Sequence, residues 1–405
     1  MSDLNTLLQR IQPADASARE RAEARLDMLT KPPGSLGRLE HLVTDLAGIS
    51  GEGLPRVNPP AVLVFAADHG VAEEGVSAFP QAVTAQMVTN FANGGAAINV
   101  FARQVDARLE VVDVGVVTPY GVPTGEGRGA IVVDRVRDGS GNIAREDAMT
   151  REQAVAALMV GSRAVDRARE AGCRCLILGE MGIANTTPSS ALLAAFAGLE
   201  PEQVVGRGTG IDDAGLKHKR EVIALALARG AGADDALALA RGAGADDALD
   251  TLARLGGLEI VAMAGAYLAG AAARLPIVVD GFIATVAALA ACRLCPAVRD
   301  YLVFGHQSQE TGHRHALEAL GGKPLLQLDL RLGEGSGAVL AYPLLDAACR
   351  MLAEMATFDD AGVAKGEEGN DGGHERAGQV QPGGSAAEKA NSEASGSENT
   401  STEKK

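Results

Sequence analysis

A glutamate stands between two glycines, Gly333-Glu334-Gly335, just ahead of an apolar helical run in LDLRLGEGSGAVLAYPLLDAA, residues 328–348. With no side chain on either neighbour, such a carboxylate can face a ligand pocket and take a proton from a bound heteroatom. The alternative is an acid that only complements the dipole of the helix start. A second cluster is LGEMGIANTTPSSALL, residues 178–193. Gly182 and Asn185 suit tight backbone geometry, and Thr186-Thr187-Pro188 reads as a helix start with a hydroxyl cap and a proline in the first turn. Free N–H groups and the dipole at such a start attract anions, although an ordinary capped helix looks the same. A third cluster, VGRGTGIDDAGLKHKR at 205–220, sets Gly208, Thr209 and Gly210 among Arg207, Lys217, Lys219 and Arg220. Backbone N–H groups of such a loop can wrap a phosphate. It does not match G-x-x-x-x-G-K-[ST], so a triphosphate-binding P-loop is disfavoured, and a solvated turn with surface lysines remains the alternative.

Histidines suggest other chemistry. GHQSQETGHRHAL, residues 305–317, holds His306, Glu310, His313 and His315, and Asp68-His69 closes an earlier apolar run. Together they could serve a metal-dependent hydrolase. The spacing H-x6-H-x-H matches no zinc pattern, so substrate contact or helix capping is the preferred reading and no metal is expected. Cys292 and Cys295 have C-x-x-C spacing without a second such pair, which favours a plain buried helix.

These clusters fall where an alternating chain would place its loops. AVLVFAADHG, RLEVVDVGV, CRCLILGEMG and LPIVVDG read as buried parallel strands, separated by helix-like stretches such as REQAVAALMVGSRAVDRAREAG and FIATVAALAACRL. The expectation is an α/β fold: a Rossmann-like, mostly parallel sheet with helices on both faces. Ligands of such sheets bind at the carboxyl ends of strands, where Asp68-His69-Gly70, Gly179–Gly182 and Asp280-Gly281 lie. Residues 1–50 read as helical, 51–330 as the α/β core, 331–358 as a loop and C-terminal helix, and 359–405 as a disordered tail poor in large apolar residues. ALALARGAGADD occurs at 224–235 and again at 236–247, a tandem copy expected to lengthen a surface helix-turn segment.

Composition narrows the partners. A net charge of −15 repels nucleic acid and anionic membranes, and 3% aromatic content leaves few stacking platforms for single strands. The five cysteines fit reduced thiols in a cytoplasmic protein, and the polar N-terminus MSDLNTLLQR lacks a signal-peptide core. An anionic substrate must therefore meet a local pocket of backbone N–H groups and a few cations.

From about residue 5 to 357 the chain resembles the nicotinate-nucleotide:dimethylbenzimidazole phosphoribosyltransferases of cobalamin lower-ligand assembly. The segments that carry the resemblance are KPPGSLGRLE, FAADHGVAEEGVSAFPQAVTAQMV, NGGAAINVFAR, GEMGIANTTPSSAL, GRGTGIDD, VDGFIATVAA, GHQSQETGHRHAL and LDLRLGEGSGA. Their number and order make it specific. The resemblance implies a Rossmann-like domain with a small helical domain from both chain ends, a homodimer, and no metal or organic cofactor. It implies transfer of phosphoribose from nicotinate mononucleotide to 5,6-dimethylbenzimidazole, with Glu334 as the general base. Glu180 and Lys219 match other active-site positions, Lys217 being a neighbouring candidate for the second. The loops around 179–187 and 206–210 are expected to hold the phosphate, and Ser77, Phe79 and Gln86 to line the base pocket. The family usually has Gly where this chain has Ala184; a positive φ there would strain the alanine.

Overall fold

Short runs of β-branched and small apolar residues, bounded by glycine and polar turns, form the strands of one parallel sheet in the computed structural model. The structure describes residues 2–121, 130–208, 210–230 and 245–364. The strands are β1 (Pro60–Ala67), β2 (Arg108–Gly115), β3 (Ala130–Val133), β4 (Cys175–Met181), β5 (Ile277–Val279) and β6 (Leu302–Phe304), in the order β3-β2-β1-β4-β5-β6. All five pairings are parallel; β1, for example, aligns Val64 with Val111 on one side and Gly179 on the other. Every residue of β1 is buried, as continuous apolar strands covered on both faces must be. The winding reverses between β1 and β4, so a crevice opens at the carboxyl ends beside β4, the place such sheets use for ligands.

The expected strands at β1, β2, β4 and β5 are present. β3 and β6, of four and three residues, are not apparent from the sequence, because runs that short carry no periodicity. The helices covering the sheet are rich in Ala and Gly because they pack closely. A Cβ added at Gly161, in the helix Arg151–Glu170, would come 1.9 Å from Ala262 O in the helix Leu258–Ala272.

The N-terminal helices Ala16–Leu26 and Arg38–Ser50 lie together with the C-terminal helix Ser336–Glu354, joined by Arg25 Nε donating to Leu352 O at 2.7 Å and by an antiparallel bridge between Leu29 and Thr357. Residues up to Gly362 form one compact unit. A short helix, Phe358–Ala361, capped by Thr357, extends structure a few residues into the stretch expected to be disordered from 359. The rest of the tail, from 365, lies outside the described residues, as does most of the tandem copy. Its first residues, from Ala224, continue the helix Asp213–Gly230.

Candidate active site

Glu334 reaches the crevice by an unusual backbone path. Gly333, Glu334 and Gly335 have φ of +88°, +63° and +86°, so a non-glycine residue sits between two glycines in the left-handed region. This turn lies against Gly179 of β4, where an added Cβ would be 2.3 Å from Glu334 O. Asp280, at the end of β5, accepts the Gly335 N–H at 3.2 Å and the Ala338 N–H at 2.9 Å. Glu334 is buried, and its Oε2 accepts the Ile98 N–H at 3.3 Å from the start of the helix Ala97–Gln104. Burial raises its carboxyl above the usual range, the Ile98 N–H opposes that, and nearby Asp280 adds to it.

Glu180, at the end of β4, is pushed up to about 8 by burial, against a hydrogen bond from Asn185 Nδ2 and with Glu259, Asp280 and Glu334 adding repulsion. It therefore carries its proton at neutral pH and adds no negative charge beside Glu334 or an incoming anion.

The helix Thr186–Ala197 starts at the same crevice with no side-chain cap. The hydroxyl expected to cap it is engaged elsewhere: Lys219 Nζ donates to Thr186 Oγ1 at 2.6 Å, and Asn185, the cap residue, is turned to Glu180. Lys219 is 1% exposed and comes from the helix Asp213–Gly230. Burial pulls its ammonium down to about 8, with Glu310 as the opposing charge. Gly208, at φ +52°, lies close enough that an added Cβ would be 2.9 Å from Thr186 Oγ1 and 3.3 Å from Lys219 Nζ. Its N–H donates to the Glu310 carboxylate. A buried cation, an uncapped helix start and a glycine turn thus converge on one spot, an arrangement able to attract an anion.

Between these groups lies a cavity of about 420 Å³. Phe79, Val83, Met87, Met181, Ile183 and Phe282 give it an apolar wall, while Glu180, Asn185, Thr186, Gly208, Asp280, Glu310 and Glu334 give it a polar side. Such a mix suits an aromatic ring oriented by a few polar groups.

Of the residues singled out in the sequence, Glu334, Glu180, Gly182, Asn185, Thr186, Gly208 and Phe79 all line this cavity. Lys219 sits behind Thr186, whereas Lys217 is exposed and faces Glu221 at 3.9 Å. Gly210 is exposed in the adjoining turn, at φ +109°, away from the lining, and Thr209 lies outside the described residues. Ser77 and Gln86 are not among the lining residues. Ser77 Oγ accepts the Phe79 N–H at 3.3 Å, and Gln86 is turned away because Val83 and Met87, four apart, take the inward face of their helix.

The metal-hydrolase constellation does not assemble. His69 is fully buried and bonds Glu259 at 2.8 Å, while Asp68 Oδ2 accepts the Val117 N–H at 2.7 Å. His313 Nδ1 accepts the Ser308 N–H, so its Nε2 carries the proton and donates to Thr285 Oγ1 at 2.9 Å. Burial, with His306 adding, lowers its pKa to about 4, keeping it neutral. His306 lies beside Asp280, and His315 faces Glu318 on the helix surface. Among the described residues no group of three or more His, Cys, Asp or Glu could hold a metal ion.

Asp280, Glu310 and Glu259 matter more here than the sequence indicates. Asp280 carries a signal, a polar residue straight after an apolar strand. Glu259, inside a helix otherwise small and apolar, carries none.

Ala184, 4% exposed, has φ +74°. The positive φ considered from the sequence is therefore present, and Ala184→Gly should stabilise the protein by up to about 1 kcal/mol. Thermal unfolding checks this: an increase of roughly 1–2 °C is expected for a chain of this size, and a decrease would contradict it.

Comparison with known proteins agrees with this geometry. Residues 11–363 match a family model described as Phosphoribosyltransferase. A nicotinate-nucleotide–dimethylbenzimidazole phosphoribosyltransferase of Chromobacterium violaceum is 53% identical over 87% of this chain and 98% of its own length. The enzyme of that name from Geobacter sulfurreducens is 50% identical over 91% of this chain and all of its own. A crystal structure of the Thermus thermophilus enzyme of that name superposes with a TM-score of 0.78 at 49% identity, covering 87% of this chain and 100% of that one. With the sheet order, the crevice and the matched length all in agreement, this chain belongs to the nicotinate-nucleotide–dimethylbenzimidazole phosphoribosyltransferase family.

Proposed function

We propose that this chain transfers phosphoribose from nicotinate mononucleotide to 5,6-dimethylbenzimidazole, releasing α-ribazole 5′-phosphate and nicotinate, with Glu334 as general base. The observation that carries the proposal is the pairing, across one cavity, of the buried Glu334 carboxylate with the anion site formed by Lys219, Thr186 and Gly208. In this reading the anion site takes the substrate phosphate, and the apolar wall that includes Phe79 holds the benzimidazole. One ring nitrogen attacks ribose C1′ as the bond from C1′ to the nicotinate nitrogen breaks. The bonding pair returns to that nitrogen and neutralises its positive charge, so the leaving group needs no acid. The proton on the other benzimidazole nitrogen passes to Glu334. Attack opposite the leaving group inverts C1′ from β to α. Most of the acceleration then comes from positioning two bound substrates.

The same reading makes the protein a cytoplasmic homodimer that acts on small molecules without metal or organic cofactor, and keeps residues 331–358 as the segment that carries the base. Its acidic charge fits small-molecule work away from nucleic acid, and among the described residues no helix is long and apolar enough to cross a membrane. The test is nicotinate release by the purified protein. Release should require dimethylbenzimidazole and match α-ribazole phosphate one for one. Release of ribose phosphate without the base would point to hydrolysis instead.

A further inference from the structure

A general base held in a left-handed turn raises the question of what holds it there. One glycine-glutamate-glycine stretch with three positive φ angles in succession has no regular hydrogen-bond ladder of its own. Its neighbours supply the restraint. Gly179 gives the turn room to lie on β4, but a missing side chain can only permit a conformation. Glu334 Oε2 takes the Ile98 N–H at 3.3 Å, a long bond that orients the carboxylate and leaves the backbone free. The turn closes on itself through the Ser336 N–H to Gly333 O at 3.0 Å, and the side chain that grips its backbone from outside is Asp280: Oδ2 accepts the N–H that directly follows Glu334, and Oδ1 accepts the Ala338 N–H in the first turn of the next helix. Asp280 therefore acts as that helix's cap from a different strand, since the residue in the cap position is Gly335, which has no side chain to do it. Asp280 is 3% exposed and directly follows β5, in the sheet between β4 and β6.

We propose that Asp280 is the positioning residue of the general base: its buried carboxylate fixes the Gly333–Gly335 turn to the end of β5, aims Glu334 into the cavity, and sets the charge environment in which Glu334 works. The inference rests on the reading of Glu334 as the base. Asp280 lines the same cavity and contacts His306 Nε2 at 3.4 Å, so the positioning group is itself located by the end of β6.

The charged and titratable groups around Glu334 give the proposal a sign. Glu180 faces it from β4, Asp280 from β5, His306 from β6, Arg331 from its own segment, and the helix beginning at Ala97 presents the Ile98 N–H. Of these, Asp280 disfavours ionisation of Glu334 by its negative charge, and Glu180, which titrates near 8, repels it only once it has lost its own proton. Removing that charge should make Glu334 easier to ionise, so the pH below which activity is lost should move down.

The experiment is the pH profile of kcat/KM and of kcat for Asp280→Asn, Asp280→Glu and Glu334→Gln in the full chain. For Asp280→Asn the acid limb is expected to move down by about one pH unit. Its kcat should fall about 10-fold or more as the base loses its aim, with KM for nicotinate mononucleotide changed less than about 3-fold. Asp280→Glu keeps the charge and moves the carboxylate, so its acid limb should stay in place while kcat falls. If Asp280→Asn does not fold, the Asp280→Glu result decides alone: unchanged kcat in that variant overturns the proposal. An Asp280→Asn enzyme that only melts earlier, with the acid limb and kcat of the parent, also overturns it. The base assignment fails separately. If the acid limb persists in Glu334→Gln, Glu334 is not its source. If it vanishes there yet Asp280→Asn leaves it unmoved, only the role of Asp280 is lost.

Discussion

Glu334→Gln is expected to lower turnover by about 100-fold or more, the usual scale for loss of a positioned general base. The substitution is close to isosteric. The amide oxygen it introduces can still accept the Ile98 N–H that Glu334 Oε2 accepts, and the turn is gripped through its backbone, so the fold and the phosphate site should remain as they are. What is lost is a group able to accept the benzimidazole proton. The pH dependence gives a second reading. Glu334 works only when ionised, and burial with the neighbouring Asp280 raises its pKa above the ordinary carboxyl value of 4.5. Activity should therefore fall as pH drops through that raised value, and in Glu334→Gln the residual rate should lose this acid limb. Rates near those of the parent would refute the assignment.

Lys219→Met is expected to lower kcat/KM for nicotinate mononucleotide by about 100-fold, chiefly through KM, because a hydrogen bond to a charged group contributes about 1.5–3 kcal/mol. The same variant should be at least as stable as the parent. In the folded protein the ammonium is pulled from 10.5 down to about 8 by burial, so near pH 7 its charge opposes folding, and the penalty fades as pH rises from about 8 toward the unfolded value. Methionine keeps most of the length of the side chain and removes the penalty. Activity down with thermal stability unchanged or up is the signature of a group kept for its ligand. In the parent, affinity for the phosphate should weaken above about pH 8 as Lys219 loses its proton. Glu180, also near 8, gains a negative charge over the same range and acts in the same direction. Lys219→Met should lose the Lys219 part of this alkaline limb. Calorimetric titration of the mononucleotide on both sides of that pH measures it, and unchanged affinity in the variant would contradict the assignment.

Much of this is legible in the sequence, and the rest is hidden for physical reasons. The long apolar runs at β1, β2 and β4 announce a parallel sheet, because strands covered on both faces need no polar alternation. β3 and β6 are too short to stand out from loop. The glycines around Glu334 flag a special backbone, and three positive φ angles explain why they are there. Lys219 and Lys217 look alike in sequence: they differ only in which side of one helix faces inward, and burial of the first separates them. Gln86 lies off the cavity lining for the same reason, since it adjoins an inward-facing residue in sequence without sharing its face. The histidines of 305–315 look like ligands because sequence spacing does not reveal that Ser308, Thr285, Asp280 and Glu318 already occupy them. Asp280 is visible as a polar strand end, but its two backbone partners lie 55 and 58 residues away, a separation that only the fold closes.

A crystal structure of the enzyme with dimethylbenzimidazole bound tests the central claim most directly. A Glu334 carboxylate oxygen is predicted within about 3 Å of one ring nitrogen, with the other nitrogen turned toward the Lys219–Thr186 side where the ribose would lie. A base seated with both nitrogens away from Glu334, or outside this cavity, would contradict it.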